Sequence, residues 1–222
     1  MVSEIITVTS VNDQLWRDYA QRTVGTWTTP YKVYWEDIDT DPQWDAWRES
    51  NSDKLEPGFK HTWRRFSYKV QHQLRAYREF KDTHRYLIWM DADVRELCKP
   101  TEEFYKKVLP ITRPGTGTLD DSDTLSYLGR GDSYHPETGF ICYDLKNPRI
   151  TQVLLRLEEV YLNNEIFTYN EWHDAYVWDQ VCRAQQICRR NLCELPYKPG
   201  EAFARSPLRD YYEHLKGPRK YQ

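Results

Sequence analysis

The sequence predicts a single-domain α/β protein with a Rossmann-like mixed sheet flanked by helices. The chain opens with a strand, a helix and a second strand, which is the order that begins a doubly wound nucleotide-binding sheet. A short apolar run over residues 86–90 is bounded by polar residues and fits a buried strand better than an amphipathic helix. The 222 residues suffice for one full hydrophobic core.

The first elements follow from local composition. Residues 4–9 are rich in β-branched side chains and predict a strand, and residues 10–13 predict a turn that caps a helix over 14–25. A second strand is predicted over 31–35. It enters an acidic loop that carries Pro42, Trp44 and Trp47.

A long amphipathic helix is predicted over residues 60–80, because its apolar residues recur every three or four positions. These positions are Trp63, Phe66, Val70, Leu74, Tyr77 and Phe80. On another face of the same helix, Arg65 and Lys69 are four residues apart. They are candidate diphosphate ligands, and exposed salt bridges are the alternative.

The second half of the chain continues the alternation of helices and strands. Gly, Pro, Thr and Asp dominate residues 112–123, which predicts a surface loop. The other predicted elements are a helix over 100–109, strands over 125–128 and 140–145, a helix over 148–162, and a helix that opens at 171–174 and carries Asp179 and Gln180.

Composition restricts the class of protein. The net charge of −3 argues against a general nucleic-acid coat, although eight acids and two bases in residues 36–56 precede eight bases and two acids in residues 60–85. No apolar run approaches about 18 residues and no signal peptide opens the chain, so we expect a cytoplasmic protein. The five cysteines lack the paired spacing of zinc sites and are expected to be reduced.

The strongest functional signal is an acidic pair after the buried strand. Asp91 and Asp93 flank a small residue, Ala92, and ligands collect at the carboxyl ends of strands in open α/β sheets. Two such carboxylates can hold one hard cation that in turn binds a phosphate. Asp-x-Asp occurs four times in the chain, and only this copy ends a hydrophobic strand. A solvated or helix-capping acidic pair is the alternative.

The C-terminal segment combines His214, Gly217 and Lys220. A neutral imidazole is a good ligand for Mn²⁺, and a glycine lets a backbone approach a phosphate closely. Lys220 would then neutralise phosphate charge. A disordered basic tail is the alternative.

Together these motifs resemble the nucleotide-sugar glycosyltransferases of the GT-A fold, nearest to the retaining glycogenin-like and galactosyltransferase-like families. The resemblance spans nearly the whole chain. Its motifs are the strand-end Asp-x-Asp, an Asp-Gln pair beside the donor sugar, and a C-terminal His-x-x-Gly-x-x-Lys. In this sequence they correspond to Asp91 and Asp93, to Asp179 and Gln180, and to His214, Gly217 and Lys220.

The resemblance implies a Mn²⁺ or Mg²⁺ ion held by Asp91, Asp93 and His214 and by the diphosphate of a donor, expected to be a UDP-sugar. It also implies that Asp179 stabilises positive charge on the departing sugar. The residues expected to contact the donor are Thr9, Ser10, Asn12, Arg65, Lys69, Asp91, Gln180, Gly217 and Lys220. By the same likeness, residues 1–95 form the nucleotide half, 96–204 the sugar and acceptor half, and 205–222 a metal- and diphosphate-binding tail.

One departure from the family concerns stereochemistry. The family often has Asn or Asp before x-Gly in the strand after the metal site, whereas this chain has Glu137, Thr138 and Gly139. Glu137 is therefore a candidate for orienting the sugar or the acceptor. Asp174 or His173 would serve as the base if the reaction inverts the sugar, and retention is favoured.

Two acceptors fit the compact chain, which is similar to virus-encoded and bacterial sugar transferases: a glycan, or a hydroxymethylated pyrimidine in phage DNA. The competing functions are a nucleotidyltransferase, which usually has a Gly-rich basic signature that this N-terminus lacks, and an aspartyl phosphatase, whose motif would come earlier. A non-catalytic nucleic-acid binder is the third, and its binding would be independent of metal and fall steeply with salt.

Overall fold

A mixed sheet forms the centre of the molecule. The computed structural model describes residues 2–111, 123–130, 135–194 and 201–221, so the predicted loop over 112–123 lies outside them except for its last residue. The described residues form strands β1 (Ile5–Val11), β2 (Tyr31–Trp35), β3 (Tyr86–Met90), β4 (Val94–Glu96), β5 (Leu125–Leu128), β6 (Glu137–Asp144), β7 (Arg189–Asn191) and β8 (Tyr212–His214).

Six of these strands form the central sheet, in the order β2-β1-β3-β6-β5-β7. Strand β1 lies parallel to β2 and β3, whereas β6 runs antiparallel to β3 and β5, and β7 lies parallel to β5. Strands β4 and β8 form a separate antiparallel pair. This architecture confirms the predicted α/β class, with one mixed sheet flanked by helices in a single domain.

The helices cover both faces of the sheet. They are α1 (Asp13–Leu15), a π-helical turn (Trp16–Ala20), α2 (Gln21–Val24), α3 (Pro42–Ser50), α4 (Trp63–Phe80), α5 (Glu102–Val108), α6 (Arg149–Leu162) and α7 (Asp174–Ala184). Short 3-10 turns cover Val2–Glu4, Phe59–His61, Glu165–Thr168, Pro207–Asp210 and Gly217–Tyr221. Among the described residues, no helix is both long and apolar enough to span a bilayer.

The prediction of a loop was wrong for residues 42–50, which form helix α3. Asp41 caps this helix, because its Oδ1 accepts hydrogen bonds from the backbone N–H groups of Gln43 and Trp44. Pro42 occupies the first helical turn, where its missing N–H costs nothing. Trp44 and Trp47 then face the core, where their rings meet edge to face.

The side chains of strand β3 alternate between two hydrophobic cores, one on each face of the sheet. All five of its residues are buried, with Leu87 and Trp89 in one core and Tyr86, Ile88 and Met90 in the other. The first core is covered by α3, α4, α6 and α7. The second is covered by the π turn, α2, α5 and the segment that carries Phe203 and Leu208. A strand buried on both faces reads as a continuous apolar run.

Helix α4 has the predicted apolar stripe. Trp63, Phe66, Val70 and Leu74 are buried, and each such side chain contributes about 1.5–3 kcal/mol through the area it removes from water. The helix places Arg65 and Lys69, from its first two turns, beside the end of β3.

Candidate functional site

The acidic pair and the C-terminal histidine meet through the small β4–β8 sheet. Strand β4 begins directly after Asp93, and its first residue, Val94, is paired with His214. The backbone N–H of Leu215 donates to the carbonyl oxygen of Asp93 over 2.9 Å. Backbone pairing therefore holds residues 93 and 214 side by side, although 121 positions separate them in the chain.

Three side chains converge in a geometry suited to one cation. One ligand atom from each of Asp91, Asp93 and His214 lies within 4.8 Å of the other two. His214 Nε2 is 2.9 Å from Asp93 Oδ1, and the Lys220 ammonium pairs with Asp93 Oδ2. Two carboxylates and one imidazole suit Mn²⁺ and similar divalent ions.

The local surroundings also fit a bound ion. Asp93 Oδ1 and His214 Nδ1 are buried side-chain atoms to which no hydrogen bond is assigned among the described residues, and Asp93 Oδ1 lies 2.9 Å from His214 Nε2. Such unpartnered buried atoms are uncommon in folded proteins. Because Gly139 has no side chain, it leaves space for His214 and Asp91 to approach each other. A Cβ at this position would lie 2.9 Å from His214 Cε1 and 3.4 Å from Asp91 Oδ2.

Asp93 is held in its charged form, as a metal ligand requires. Burial disfavours the carboxylate, but the contacts of Asp93 with the His214 ring and the Lys220 ammonium outweigh burial and lower the pKa of Asp93 well below its usual range.

The buried Lys69 side chain binds the other carboxylate of the acidic pair, that of Asp91. Its ammonium lies 2.8 Å from Asp91 Oδ1, 2.8 Å from Asp174 Oδ2 and 2.9 Å from the carbonyl oxygen of Thr138. Burial disfavours the charged lysine, but Asp174 and Asp91 more than compensate and raise its pKa. Since these acceptors match the three donors of an ammonium group, the structure gives Lys69 the role of orienting Asp91.

A cleft opens beside the acidic pair at the carboxyl ends of the parallel strands. Its walls come from the end of β1, the first helical segment, the end of β2, the start of α4 and the end of β3. The lining residues are Thr9, Ser10, Leu15, Tyr19, Glu36, Arg65, Phe66, Lys69, Trp89, Asp91, Ala92 and Asp93.

Some of the predicted donor-binding residues line this cleft, whereas others form contacts within the protein. Thr9, Ser10 and Arg65 line the cleft, and the buried Thr9 hydroxyl has no hydrogen-bond partner among the described residues. Asn12 instead caps α1, since its Oδ1 accepts from the Leu15 N–H, and its Nδ2 donates to Glu36 Oε2 over 3.0 Å.

Asp179 and Gln180 are not among the described residues that line the cleft at the acidic pair. Both carboxylate oxygens of the buried Asp179 are taken up by arginines, at 2.6 Å from Arg183 and 2.7 Å from Arg189. Gln180 lines a second cleft, together with Asn170, Glu171, Tyr176 and Arg183. Asp174, at the start of the same helix, does contact Lys69. Five helical positions rotate a side chain by about 140°, so Asp174 and Asp179 leave α7 on different faces.

Glu137 lies near the histidine, in an ion pair with two cations. Its Oε2 is bound by Lys216 and by Arg130. Burial disfavours the carboxylate, but His214, Lys216 and Arg130 outweigh burial and lower the pKa of Glu137 to about 2. Gly217 follows with a φ of +59°, and its Cβ position is open, so a left-handed turn is what requires glycine there.

Sequence reasoning missed three contributors to the site: Gly139, Lys216 and Glu36. Gly139 directly precedes the predicted strand over 140–145 but lies inside β6 in the structure, where a glycine often marks a close approach by another group. Glu36 follows β2 at the same edge of the sheet as Asp91, and burial is the main cause of its raised pKa. Lys216 carried no signal, because its partner Glu137 is 79 residues away.

The basic stretch over residues 60–85 is largely neutralised within the protein. Five of its eight bases form salt bridges: Lys60, Lys69, Arg75, Arg78 and Arg85. Arg65 is exposed at the cleft and forms no salt bridge with a described residue. Most bases of this stretch are therefore paired with acidic side chains and do not form a continuous basic face. At the cleft, Arg65 has no acidic partner among the described residues.

Comparison with known proteins yields structural neighbours only. No protein-family model and no curated protein matches the chain. A solved glycosyltransferase involved in the glycosylation of the major capsid of PBCV-1 is similar with a TM-score of 0.50 and 14% identity, over 97% of this chain and 96% of that one.

Two other solved structures are similar at TM-scores of 0.48 and 0.46. The bifunctional glycosyltransferase WbbM shares 11% identity, over 86% of this chain and 39% of that one. The glycosyltransferase GlyE of Streptococcus pneumoniae TIGR4 shares 12%, over 84% and 44%. At these identities the comparisons establish a glycosyltransferase-like fold, which rests on the first structure.

Proposed function

We propose that this chain is a metal-dependent glycosyltransferase that moves a hexose from a nucleotide sugar, UDP-hexose in the first instance, to an acceptor hydroxyl. The observation that carries the proposal is the convergence of Asp91, Asp93 and His214 within 4.8 Å at the end of β3, beside a cleft. The glycosyltransferase-like fold supports the same reaction class.

In the proposed complex, Asp91, Asp93 and His214 hold a divalent ion, Mn²⁺ or Mg²⁺. When bound, the ion supplies Lewis-acid stabilisation of the diphosphate that leaves as the sugar departs. Lys220 now pairs with Asp93. Since metal binding to Asp93 would compete with this pair, Lys220 is free to turn to a phosphate oxygen, the role expected of it from the sequence.

The nucleoside would occupy the wall of the cleft formed by Thr9 and Ser10. The unpartnered Thr9 hydroxyl is available to a ribose or base, and the exposed Arg65 can neutralise a phosphate across the cleft. Glu36 adds an acceptor at the end of β2, where α/β sheets often bind ribose hydroxyls. Gly217 permits the turn that brings Lys220 back to Asp93.

Retention is the stereochemistry that the hydrogen bonding favours. An inverting transfer needs a free base beside the acceptor hydroxyl. Asp174 Oδ2 accepts from both Lys69 and Thr138, and His173 Nε2 is 2.9 Å from Glu171 Oε2. Neither candidate base is therefore free. Glu137 is the carboxylate proposed to face the sugar, since it lies close enough to His214 for that residue to contribute to its lowered pKa. Glu137 would act only after release from Lys216 and Arg130, and Asp179 only after release from its arginines.

A glycan is the proposed acceptor. The paired bases over residues 60–85 leave little free positive charge for a DNA backbone, and DNA binding rests on such charge. Hydroxymethylated DNA remains the second acceptor to be assayed. Mass analysis of products decides between them: a hexose on a saccharide supports the proposal, and a hexose on hydroxymethylated DNA selects the other acceptor.

The test is a thermal-shift panel of nucleotide sugars with and without Mn²⁺. We expect a UDP-sugar to raise the melting temperature only when the metal is present, and Asp93→Ala to abolish the effect. Asp37→Ala is the matched control, since Asp37 begins another Asp-x-Asp, is exposed and lies outside the metal cluster of the described residues. A metal-independent shift, or a full shift in Asp93→Ala, would refute the proposed function.

A further inference from the structure

A second cluster of metal-ligating side chains lies outside the Asp91–Asp93–His214 site. Ligand atoms of His135, Glu171 and His173 all lie within 4.8 Å of one another. Glu171 Oε2 is 2.9 Å from His173 Nε2 and 3.8 Å from His135 Nε2, and the two imidazole centroids are 4.5 Å apart. A tetrahedral ion with bonds of about 2.0–2.2 Å needs donor atoms at comparable separations.

We propose that His135, Glu171 and His173 form a second divalent-metal site that takes a zinc-class ion. Its donors differ in chemistry from those of the first cluster. Two imidazoles and one carboxylate favour Zn²⁺, Co²⁺ or Ni²⁺, whereas two carboxylates and one imidazole admit the harder Mn²⁺ and Mg²⁺. The cluster does not depend on the proposed transfer reaction.

Two of the ligands are already oriented for an ion. His135 Nδ1 lies 3.4 Å from the carbonyl oxygen of Pro136, so a proton on Nδ1 leaves the lone pair of Nε2 directed toward Glu171. Lys60 Nζ holds the other oxygen of Glu171 at 2.6 Å, which fixes the carboxylate as an outer ligand would.

The third proposed ligand, His173, must give up a hydrogen bond when it binds the ion. His173 Nδ1 caps helix α7 by accepting the Tyr176 N–H at 3.4 Å, which is a long hydrogen bond. Metal binding at Nε2 would place the ring proton on Nδ1 and give up this cap. The proton that Nε2 now shares with Glu171 is displaced, so the ion substitutes for that hydrogen bond.

The site would join two distant parts of the chain. His135 stands two residues before β6, and Glu171 and His173 stand directly before α7. The residue after His173 is Asp174, which pairs with Lys69 and through it with Asp91. An ion at this position would therefore stabilise the start of helix α7 and act as a structural ion.

The experiment titrates untagged, chelator-treated protein with ZnCl₂ by isothermal calorimetry and by thermal shift. In Asp93→Ala, which removes a ligand of the first cluster, we expect one saturable zinc site with a rise in melting temperature. In that background His135→Gln should weaken zinc binding by at least about tenfold, since even outer-shell changes cost that much. His84→Gln is the matched control, because His84 belongs to no metal-ligand cluster among the described residues. Circular dichroism verifies that each variant is folded.

Two further variants separate this site from the first cluster and guard against misfolding. Asp93→Ala should keep the zinc site while it loses the Mn²⁺-dependent response to UDP-sugars, and Glu171→Gln should lose zinc while it keeps that response. Absence of a saturable zinc site would overturn the inference. Equal zinc affinity in His135→Gln and His84→Gln, or loss of zinc in Asp93→Ala, would do so as well.

Discussion

Replacing Gly139 by alanine would place a methyl group between two ligands of the first cluster. The added Cβ would lie 2.9 Å from His214 Cε1, 3.2 Å from His214 Nδ1 and 3.4 Å from Asp91 Oδ2. Carbon atoms prefer separations of about 3.5–4.0 Å, so the imidazole must retreat by roughly 0.6 Å or more. The backbone gives no reason for strain, because Gly139 lies in strand β6 without a positive φ.

The expected consequence is a loss of ligand binding without a comparable loss of fold stability. Metal sites tolerate errors of about 0.2 Å in ligand distance, and displacing a ligand's orientation costs about 10–100-fold in affinity. Alanine in a strand interior is itself about 0.5–1 kcal/mol more favourable than glycine, which offsets part of the steric cost. Binding and stability should therefore separate in this variant.

The magnitude follows from linkage. At a ligand concentration of about 100 times Kd, the wild type gains about 2.7 kcal/mol, or roughly 5–10 °C in a chain of this length. A 100-fold weaker variant gains only about 0.4 kcal/mol, or roughly 1–2 °C. Melting curves with fixed UDP-sugar and with or without Mn²⁺ measure the difference.

Cys142→Ala is the control for Gly139→Ala. Cys142 lies on the same strand, and its buried side chain packs in the core on the other face of the sheet. It should lower the melting temperature of the free protein but keep the full metal-dependent shift. A full shift in Gly139→Ala would refute the reasoning, because the glycine would then have no role in the approach of His214 to Asp91.

Three more predictions concern the surrounding charges. Lys69→Met should destabilise the protein by about 3–5 kcal/mol in urea unfolding, because it leaves Asp91 and Asp174 unpaired; a cost near zero would contradict the role assigned to Lys69. Glu137 has a lowered pKa of about 2, so its contribution, on the order of 3 kcal/mol, is present above about pH 4.5 and lost as the pH falls toward 2. Glu137→Gln should therefore flatten acid unfolding in that range, and an unchanged acid profile would argue against the ion pair. Arg65→Ala should weaken UDP-sugar binding about tenfold in calorimetry and leave the melting temperature of the free protein unchanged, whereas equal affinity would remove Arg65 from the phosphate site.

The sequence was informative where a local pattern determines the structure. The strands over 31–35, 86–90 and 125–128 are confirmed at their predicted bounds, because apolar or β-branched runs between polar residues specify them locally. The apolar stripe of α4 is confirmed for the same reason. The meeting of Asp91, Asp93 and His214 was inferred from a resemblance to a family, and the coordinates bring the three side chains together. That they bind a metal stays a prediction.

The sequence was uninformative where long-range pairing decides. Strands β4 and β8 have three residues each, too few for a periodic signal, and each forms only by pairing with the other. The partners of Lys69 could not be predicted for the same reason. Its spacing from Arg65 indicated a phosphate ligand, but Asp91 and Asp174 are 22 and 105 positions away in the chain, and their two charges retain the ammonium inside the protein.

The β4–β8 pairing also explains how residues 93 and 214, which are 121 positions apart in the chain, come to lie side by side. The Val94–His214 pairing fixes the backbone, and Lys69 and Gly139 then set the positions of the two side chains that face it. Each constraint acts on a different ligand: Lys69 on Asp91, the backbone of Leu215 on Asp93, and Gly139 on His214. Because they act separately, Lys69→Met and Gly139→Ala should impair metal binding by different routes. Only the first should also cost fold stability, since only it leaves buried charges unpaired.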